Sequence, residues 1–345
     1  MKHYLLAIML MATAFINAQN KTANDTLVSY SGSRPDGHAP ISIMGDHTHG
    51  KGEFMVSYRY MAMTMEDILV GDGVQDSEDL LMSNGGNYMV TPNKMPMQMH
   101  MLGLMYAPTH KLTLFAMANY VSMEMDHLTA MQTRFTTTSS GLGDTKLGFL
   151  YNFYSKKRSK LHANFTLSIP TGSIDNKDVT PASNGNDIIL PYPMQIGSGT
   201  VDFEPGVTYL TQGNRWSFGS QLKGLFRVDD NKNGYALGEQ YTLNSWFAVN
   251  ATEFLSVSAR LEGKVIENIE GANSDLNPNM IITADKSNSG GEFIKSGLGL
   301  NFYVPKGILK GLRLGIEYAY PIYQNVNGTQ LQSLESLTAG VQYAF

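Results

Sequence analysis

The residues whose types and spacing could do chemistry crowd into one part of the chain. Residues 95–105 read MPMQMHMLGLM, with thioethers at Met95, Met97, Met99, Met101 and Met105, and 16 of the 21 methionines fall between Met44 and Met131, so the enrichment is local. His38, His47, His49, His100 and His127 lie in the same region. Thioethers select Cu(I) over hard cations, weak sites in series permit capture and release, and imidazoles suit Cu(II). Copper, as Cu(I) or Cu(II), is therefore the metal that this set would take. In Asp46-His47-Thr48-His49 an extended backbone sends both imidazoles to one side with a carboxylate beside them, which makes a clamp. The expected metal ligands are His47, His49, Met97, Met99 and Met101. The competing chemistry is apolar, because methionine is also a flexible packing residue that fills a narrow lumen or lines it for a hydrophobic or aromatic solute.

Enzyme signatures are missing. The stretch GDHTHGKG, residues 45–52, approaches a phosphate-binding loop, but no Ser or Thr follows Gly50-Lys51 and a strand pattern follows where a helix is needed. Neither a Gly-x-Ser-x-Gly elbow nor a His-Glu-x-x-His helix occurs, so the chain is read as a non-enzyme. Net charge is −5 and Lys and Arg are scattered, which removes nucleic acid as a partner.

What positions these side chains is a set of strands. Residues 1–18 carry Lys2, an apolar run from Tyr4 to Phe15 and a small-residue end at Ala18, the pattern of a secretory signal peptide. The exported remainder has no cysteine, so its stability must come from a large core or a membrane, and no later segment reaches the ~20 apolar residues of a spanning helix. After residue 50 hydrophobicity alternates with period two. Leu161, Ala163, Phe165, Leu167 and Ile169 face His162, Asn164, Thr166 and Ser168, and comparable runs occupy residues 254–265 and 311–321.

Counting the runs predicts strands near 52–66, 87–106, 111–126, 142–155, 159–172, 200–211, 215–228, 237–250, 254–268, 293–304, 311–323 and 334–345. Short turns alternate with long polar loops near 67–86, 127–141, 174–199, 229–236, 269–291 and 324–333. About twelve antiparallel strands, with short periplasmic turns and long extracellular loops, describe an all-β transmembrane outer-membrane barrel; a secreted β-sandwich fits less well because its strands are shorter. The organisation is then a signal peptide (1–18), a periplasmic leader (19–51) and a barrel (52–345). The closing run LTAGVQYAF, ending on Phe345, resembles the terminal signal of such barrels, so the implied partners are outer-membrane lipid and the barrel-assembly machinery, besides a small solute or metal ion.

The alternation also assigns faces. A charge on the lipid face near the midplane costs ~2–4 kcal/mol, so the face bearing Arg59 should be the lumen. Met61, Met63 and Met65 share that face, as do Met97, Met99, Met101 and Met105 on the next strand and Met117, Met123 and Met125 on the third. Gln98 and His100 then point outward, which requires their strand to overshoot the membrane. Glu204, Arg260 and Glu262, with Asp202, Lys223, Arg227, Lys264, Lys295, Arg313 and Glu317, also fall on lumenal positions, and their mixed signs suggest ion pairs across a narrow polar passage.

The words DHTHGKGEFMVSYRYMAMTM, NYMVTPNKMPMQMHMLGLMYAPTHKLTLFAMANYV, MDHLTAMQTRFTTTSSGLGD and LGFLY, between His47 and Tyr151, resemble a family of bacterial outer-membrane barrels named for a MetA pathway of phenol degradation, in a methionine- and histidine-rich form. The rest of the chain matches only as generic barrel. The resemblance implies solute passage across the outer membrane without an established substrate. Its name points to aromatic compounds, while the methionine and histidine words look like those of barrels that handle copper. The expected function is a channel for a hydrophobic or aromatic compound, or a soft metal, along a methionine-lined lumen. A non-conducting structural or adhesive barrel is the alternative, and a lipid-acting barrel enzyme ranks last.

Overall fold

A computed structural model describes residues 29–345; the expected signal peptide (1–18) and the first residues of the expected leader lie outside the described part. Twelve antiparallel strands form the wall: β1 (Phe54–Val70), β2 (Val90–Tyr106), β3 (Leu112–Thr129), β4 (Thr145–Lys156), β5 (Ser159–Ile169), β6 (Asp202–Gln212), β7 (Trp216–Arg227), β8 (Gln240–Asn250), β9 (Leu255–Ile266), β10 (Gly291–Tyr303), β11 (Leu312–Val326) and β12 (Thr329–Ala344). Each strand pairs with its sequence neighbours, and β1 pairs with β12 from Met55 opposite Ala344 up to Val70 opposite Thr329, so the sheet closes on itself. Closure leaves the wall without a free sheet edge, the condition for crossing hydrocarbon with strands.

Outward positions are apolar where lipid would lie. Phe54, Val56 and Tyr58 on β1, Leu102, Leu104 and Tyr106 on β2, and Leu298, Leu300 and Phe302 on β10 are exposed, while alternate residues are buried. Phe54 stacks on Tyr106 at 4.4 Å and on Phe345 at 6.1 Å, forming part of an aromatic ring at the periplasmic rim.

The strands reach beyond this apolar band on one side of the barrel. β1, β2 and β3 have 17, 17 and 18 residues, against 11 in β5 and β6, and above Tyr120 the outward residues of β3 are Ser122, Glu124 and Asp126. β2 therefore overshoots the membrane, and His100 sits at its outer edge, with Nδ1 2.8 Å from the Tyr58 hydroxyl and its ring 5.2 Å from Tyr60. That resolves the awkward outward position of His100.

Two loops differ from expectation. Within 127–141, Arg134–Leu142 is a further strand paired to the upper half of β3, from Leu128 opposite Arg134 to Tyr120 opposite Leu142; its Thr- and Ser-rich alternation lacks an apolar face because it stands above the band. The span 324–333 is not a long loop. β11 and β12 extend to a two-residue Asn327-Gly328 turn, with Gly328 at φ +65°, a strong hairpin pair in sequence.

Residues 29–53 run through the periplasmic half of the lumen as a plug, and their burial needs partners for the backbone. The wall supplies them. The Gln212 side chain accepts from Ser31 N (2.8 Å) and donates to its carbonyl (2.9 Å). Asn250 pairs both ways with Asp36, Ser217 Oγ donates to the Asp36 carbonyl at 2.5 Å, and Ser256 Oγ donates to the Pro35 carbonyl at 2.9 Å. At the apex, His162 and Asn164 contact the Gly45 carbonyl at 3.0 and 3.1 Å, and Gln221 donates to the Met44 carbonyl at 3.1 Å. Tyr30, Ala39 and Ile43 pack on Leu210 and Trp246 in an apolar cluster between plug and wall.

Candidate solute and metal site in the lumen

The methionines of β1–β3 form rows because the three strands are in register. Met63 lies opposite Met97 and Met97 opposite Met123; Met61 lies opposite Met99, Met65 opposite Met95, and Met55 opposite Met105. Gly103 interrupts the row on β2, since a Cβ there would meet Ser57 Oγ at 2.6 Å, and Met117 lies opposite it on β3. Thioethers thus recur from Met105 near the periplasmic side to Met95 above the membrane.

The outer part of this row is packed. Met95, Met123 and Met125 are buried with Ile68, Val121, Leu331, Leu190 and Met194, and Met65, Met97, Met99 and Ile196 pack against them. Leu190, Met194 and Ile196 belong to the loop after β5, which folds inward over the methionine wall. Asn119 Nδ2 approaches Met99 Sδ at 3.9 Å, and Met101 lies opposite Arg59 on one side and Asn119 on the other. Arg59 is 4 % exposed on the same inner face.

The ion pairs between Arg227 and Asp202, Lys146 and Glu204, and Arg260 with Glu262 and Glu317 run along the wall rather than across the lumen, unlike the expected cross-lumen pairs. Arg227 bonds Asp202 on the adjacent strand, and Lys146 bonds Glu204 two strands away. Arg260 bonds Glu262 at 2.7 Å and Glu317 at 2.6 Å, and Glu317 also accepts from Ser42 Oγ of the plug at 2.5 Å. Arg313 bonds Gln342 at 2.6 Å, Asn301 at 2.7 Å and the plug carbonyl of Ala39. A cavity of about 30 Å³, room for one or two waters, lies beside the plug apex between Met44, Met105, Met117 and Lys223.

The expected metal set is divided by the structure. His49 N donates to Thr113 Oγ1 at 3.0 Å, near the periplasmic end of β3. Met101 and Met97 lie six and ten residues outward from Ala107 at that level, roughly 20 and 33 Å along β2 at ~3.3 Å per residue. His49 therefore stands well apart from Met97, Met99 and Met101 along the wall, and the part of the set that comes together is His47 and His49, joined by His38.

The His38 and His47 rings are 4.4 Å apart and the His47 and His49 rings 4.8 Å. Asp46 Oδ1 holds His47 Nδ1 at 2.9 Å while its Oδ2 accepts from Ala39 N, also at 2.9 Å. Burial, with the neighbouring His47 and Arg313, pushes His38 well below its ordinary pKa. Burial alone would raise the Asp46 carboxyl, but His47 and Arg313 outweigh it and hold it well below the usual carboxylate range. Burial likewise lowers His49, against the bond to Glu53, and that bond draws Glu53 down to about 2. Sequence reasoning placed His38 only near this group. Its approach depends on the Pro40–Ile43 turn and on contact with the wall, and no spacing rule encodes that.

A closed antiparallel barrel with an apolar outer belt, long strands and an inward-folded plug defines an outer-membrane β-barrel. The family model described as "Putative MetA-pathway of phenol degradation" matches residues 79–275, more than half of the chain, and the chain belongs to that family. The match extends well past Tyr151, over strands that read only as generic barrel in the sequence. No curated protein matches the sequence. Among solved structures, the COG4313 outer membrane channel from Pseudomonas putida F1 is similar at 13 % identity with a TM-score of 0.58, over 87 % of this chain and 98 % of that one. The CymD monoaromatic hydrocarbon channel matches at 8 % identity and TM-score 0.44, over 93 % and 98 % of the two chains. The TodX monoaromatic hydrocarbon channel deltaS2 mutant matches at 11 % and 0.45, over 87 % and 91 %.

Proposed function

We propose that this barrel is an outer-membrane channel for a small apolar solute, aromatic compounds first, captured at the methionine wall. The observation that carries this reading is the cluster in which Leu190, Met194 and Ile196 of an extracellular loop lie on Met95, Met123 and Met125. A loop that buries apolar side chains against adaptable thioethers covers a surface onto which an apolar solute can repack, displacing the loop without leaving polar groups unpaired. Membership of a family named for phenol degradation and a barrel similar to a solved outer membrane channel support it. The methionine- and histidine-rich words mark this chain as one form within that family, with Met61, Met63, Met65, Met97, Met99, Met101, Met105, Met117, Met123 and Met125 as its selective surface.

The test is uptake of a labelled monoaromatic compound into liposomes or cells carrying the barrel. Exchanging Met97, Met99, Met123 and Met125 for aspartate-free polar residues such as Gln should cut uptake at least tenfold while the barrel still shows heat-modifiable mobility. Equal uptake by both forms would sink the reading, and the absence of any uptake or conductance would favour a non-conducting surface barrel. Passage of a soft metal is the second reading, favoured by the recurrence of thioethers from Met105 to Met95. It predicts that Cu(I), not the aromatic solute, loses uptake in the same variant.

A further inference from the structure

Three histidines of the plug have lone pairs with nothing to accept. His38 Nδ1, His47 Nε2 and His49 Nε2 are all buried without a hydrogen-bond partner, on residues 8 %, 5 % and 6 % exposed. One unpaired buried polar group costs free energy, and three within adjoining rings form a set that a single ligand can satisfy. The polarity of two rings is fixed by carboxylates. Asp46 Oδ1 at His47 Nδ1 (2.9 Å) and Glu53 Oε2 at His49 Nδ1 (3.4 Å) put the ring protons on those nitrogens, so each Nε2 carries a lone pair. A carboxylate behind an imidazole is the usual outer shell of a histidine metal ligand.

We propose that His38, His47 and His49 form a site for one divalent transition-metal ion of the Cu2+ and Zn2+ class, with Asp46 and Glu53 orienting His47 and His49. Among the described residues the set with donor atoms all within 4.8 Å of one another is His38, Asp46 and His47, and His49 adjoins it through its ring, 4.8 Å from that of His47. Ligand bonds of ~2.0–2.1 Å place two tetrahedral donors roughly 3.3 Å apart, so a bound ion would draw these rings together. Imidazole without thiolate suits this class rather than Ca2+ or Mg2+, which prefer oxygen ligands.

The site has a structural consequence. His38 leans on Tyr303 of β10, with ring centroids 5.8 Å apart, while the segment of His49 is bonded to Thr113 of β3. One ion would therefore join two parts of the plug seated against opposite stretches of the wall, tightening the plug when metal is present. The inference stands whether or not the lumen conducts, because it concerns the plug alone.

The test uses the untagged full-length barrel, stripped with chelator and desalted after exposure to Cu2+ or Zn2+. One retained ion per chain is expected, with X-ray absorption showing nitrogen and oxygen ligands and imidazole scattering. His47→Ala and His49→Ala should each reduce retention at least tenfold, whereas His110→Ala, an exposed residue, should leave it unchanged. Asp46→Asn should weaken affinity ten- to a hundredfold, and protease protection of residues 29–53 shows whether the plug stays seated in each variant. Retention below one ion in ten chains, undiminished retention after all three histidines are replaced, or a sulfur-dominated ligand shell would each overturn the proposal. The uptake assay is a separate readout, so failure here leaves the channel reading to its own test.

Discussion

Seating of the plug depends on a missing side chain in the wall, and this can be tested at Gly315. A Cβ there would lie 2.8 Å from Ile41 Cβ and 3.1 Å from its Cγ1, while Ile41 is 1 % exposed, so neither partner has room to retreat. Gly340 on the adjoining strand is similarly close, its Cβ meeting Ile41 Cγ1 at 3.2 Å. Gly315→Ala therefore overpacks the contact, at a cost of about 1–3 kcal/mol. If that cost falls on seating, the unseated fraction rises roughly 5- to 150-fold. The assay is protease cleavage within residues 29–53 in folded barrels, with single-channel conductance read in parallel. In an Ile41→Gly background the tightest contacts are gone and only Asn301 Oδ1, at 3.2 Å, remains close, so Gly315→Ala should then change cleavage less than about twofold. Unchanged cleavage and conductance in the single variant, or an equal increase in both backgrounds, would refute the idea that Ile41 keys the plug into this glycine.

Three further outcomes follow from the same geometry. Met125, at 0 % exposure in the loop-covered cluster, should lose about 2–5 kcal/mol on Met125→Ala and under about 1.5 kcal/mol on Met125→Leu, measured by denaturant unfolding of the barrel in detergent. Arg260→Ala leaves Glu317, 2 % exposed, as an uncompensated buried charge and should destabilise by about 3–5 kcal/mol, with much of the loss recovered in Arg260→Ala/Glu317→Gln; no recovery would mean the pair does not act as a unit. Asn233 and Lys232 hold the Asp175 carboxyl below its ordinary value of 3.8. Because its pKa is depressed in the folded loop, the contribution is fully present above that ordinary value and disappears as pH falls through the lower one, so hydrogen exchange in residues 173–199 should accelerate only below about pH 4.

Strand periodicity was legible because lipid on one side and lumen on the other impose the same two-residue alternation on every strand. The bounds of β4 and β5 illustrate this: 142–155 and 159–172 were expected, and Thr145–Lys156 and Ser159–Ile169 are found. Arg134–Leu142 is hidden in the sequence because a strand above the membrane needs no apolar face, and the ends of β11 and β12 are hidden because Asn327-Gly328 sits in a polar run that fits a long loop equally well. The inward face of the methionines could be inferred from Arg59 on β1, Asn119 on β3 and the apolar Leu102, Leu104 and Tyr106 on the opposite face of β2. Their cover could not, since Leu190, Met194 and Ile196 lie in a loop without periodicity.

The lumen's polar side chains are the least legible element and change the meaning of the whole interior. Polar alternation inside a barrel ordinarily signals an aqueous path. Here Gln212, Ser217, Gln221, Asn250, Ser256, Asn301 and Arg313 are turned to the plug, where they satisfy backbone groups that would otherwise be stranded away from water. The hydroxyls and amides at these positions are thus accounted for without a hydrophilic solute. Sequence alone cannot separate the two uses, because a side chain that donates to water and one that donates to a plug carbonyl have the same chemistry at the same spacing. The apolar patch further out, over Met95, Met123 and Met125, has no such partner requirement, which is why the proposed function puts solute selection there.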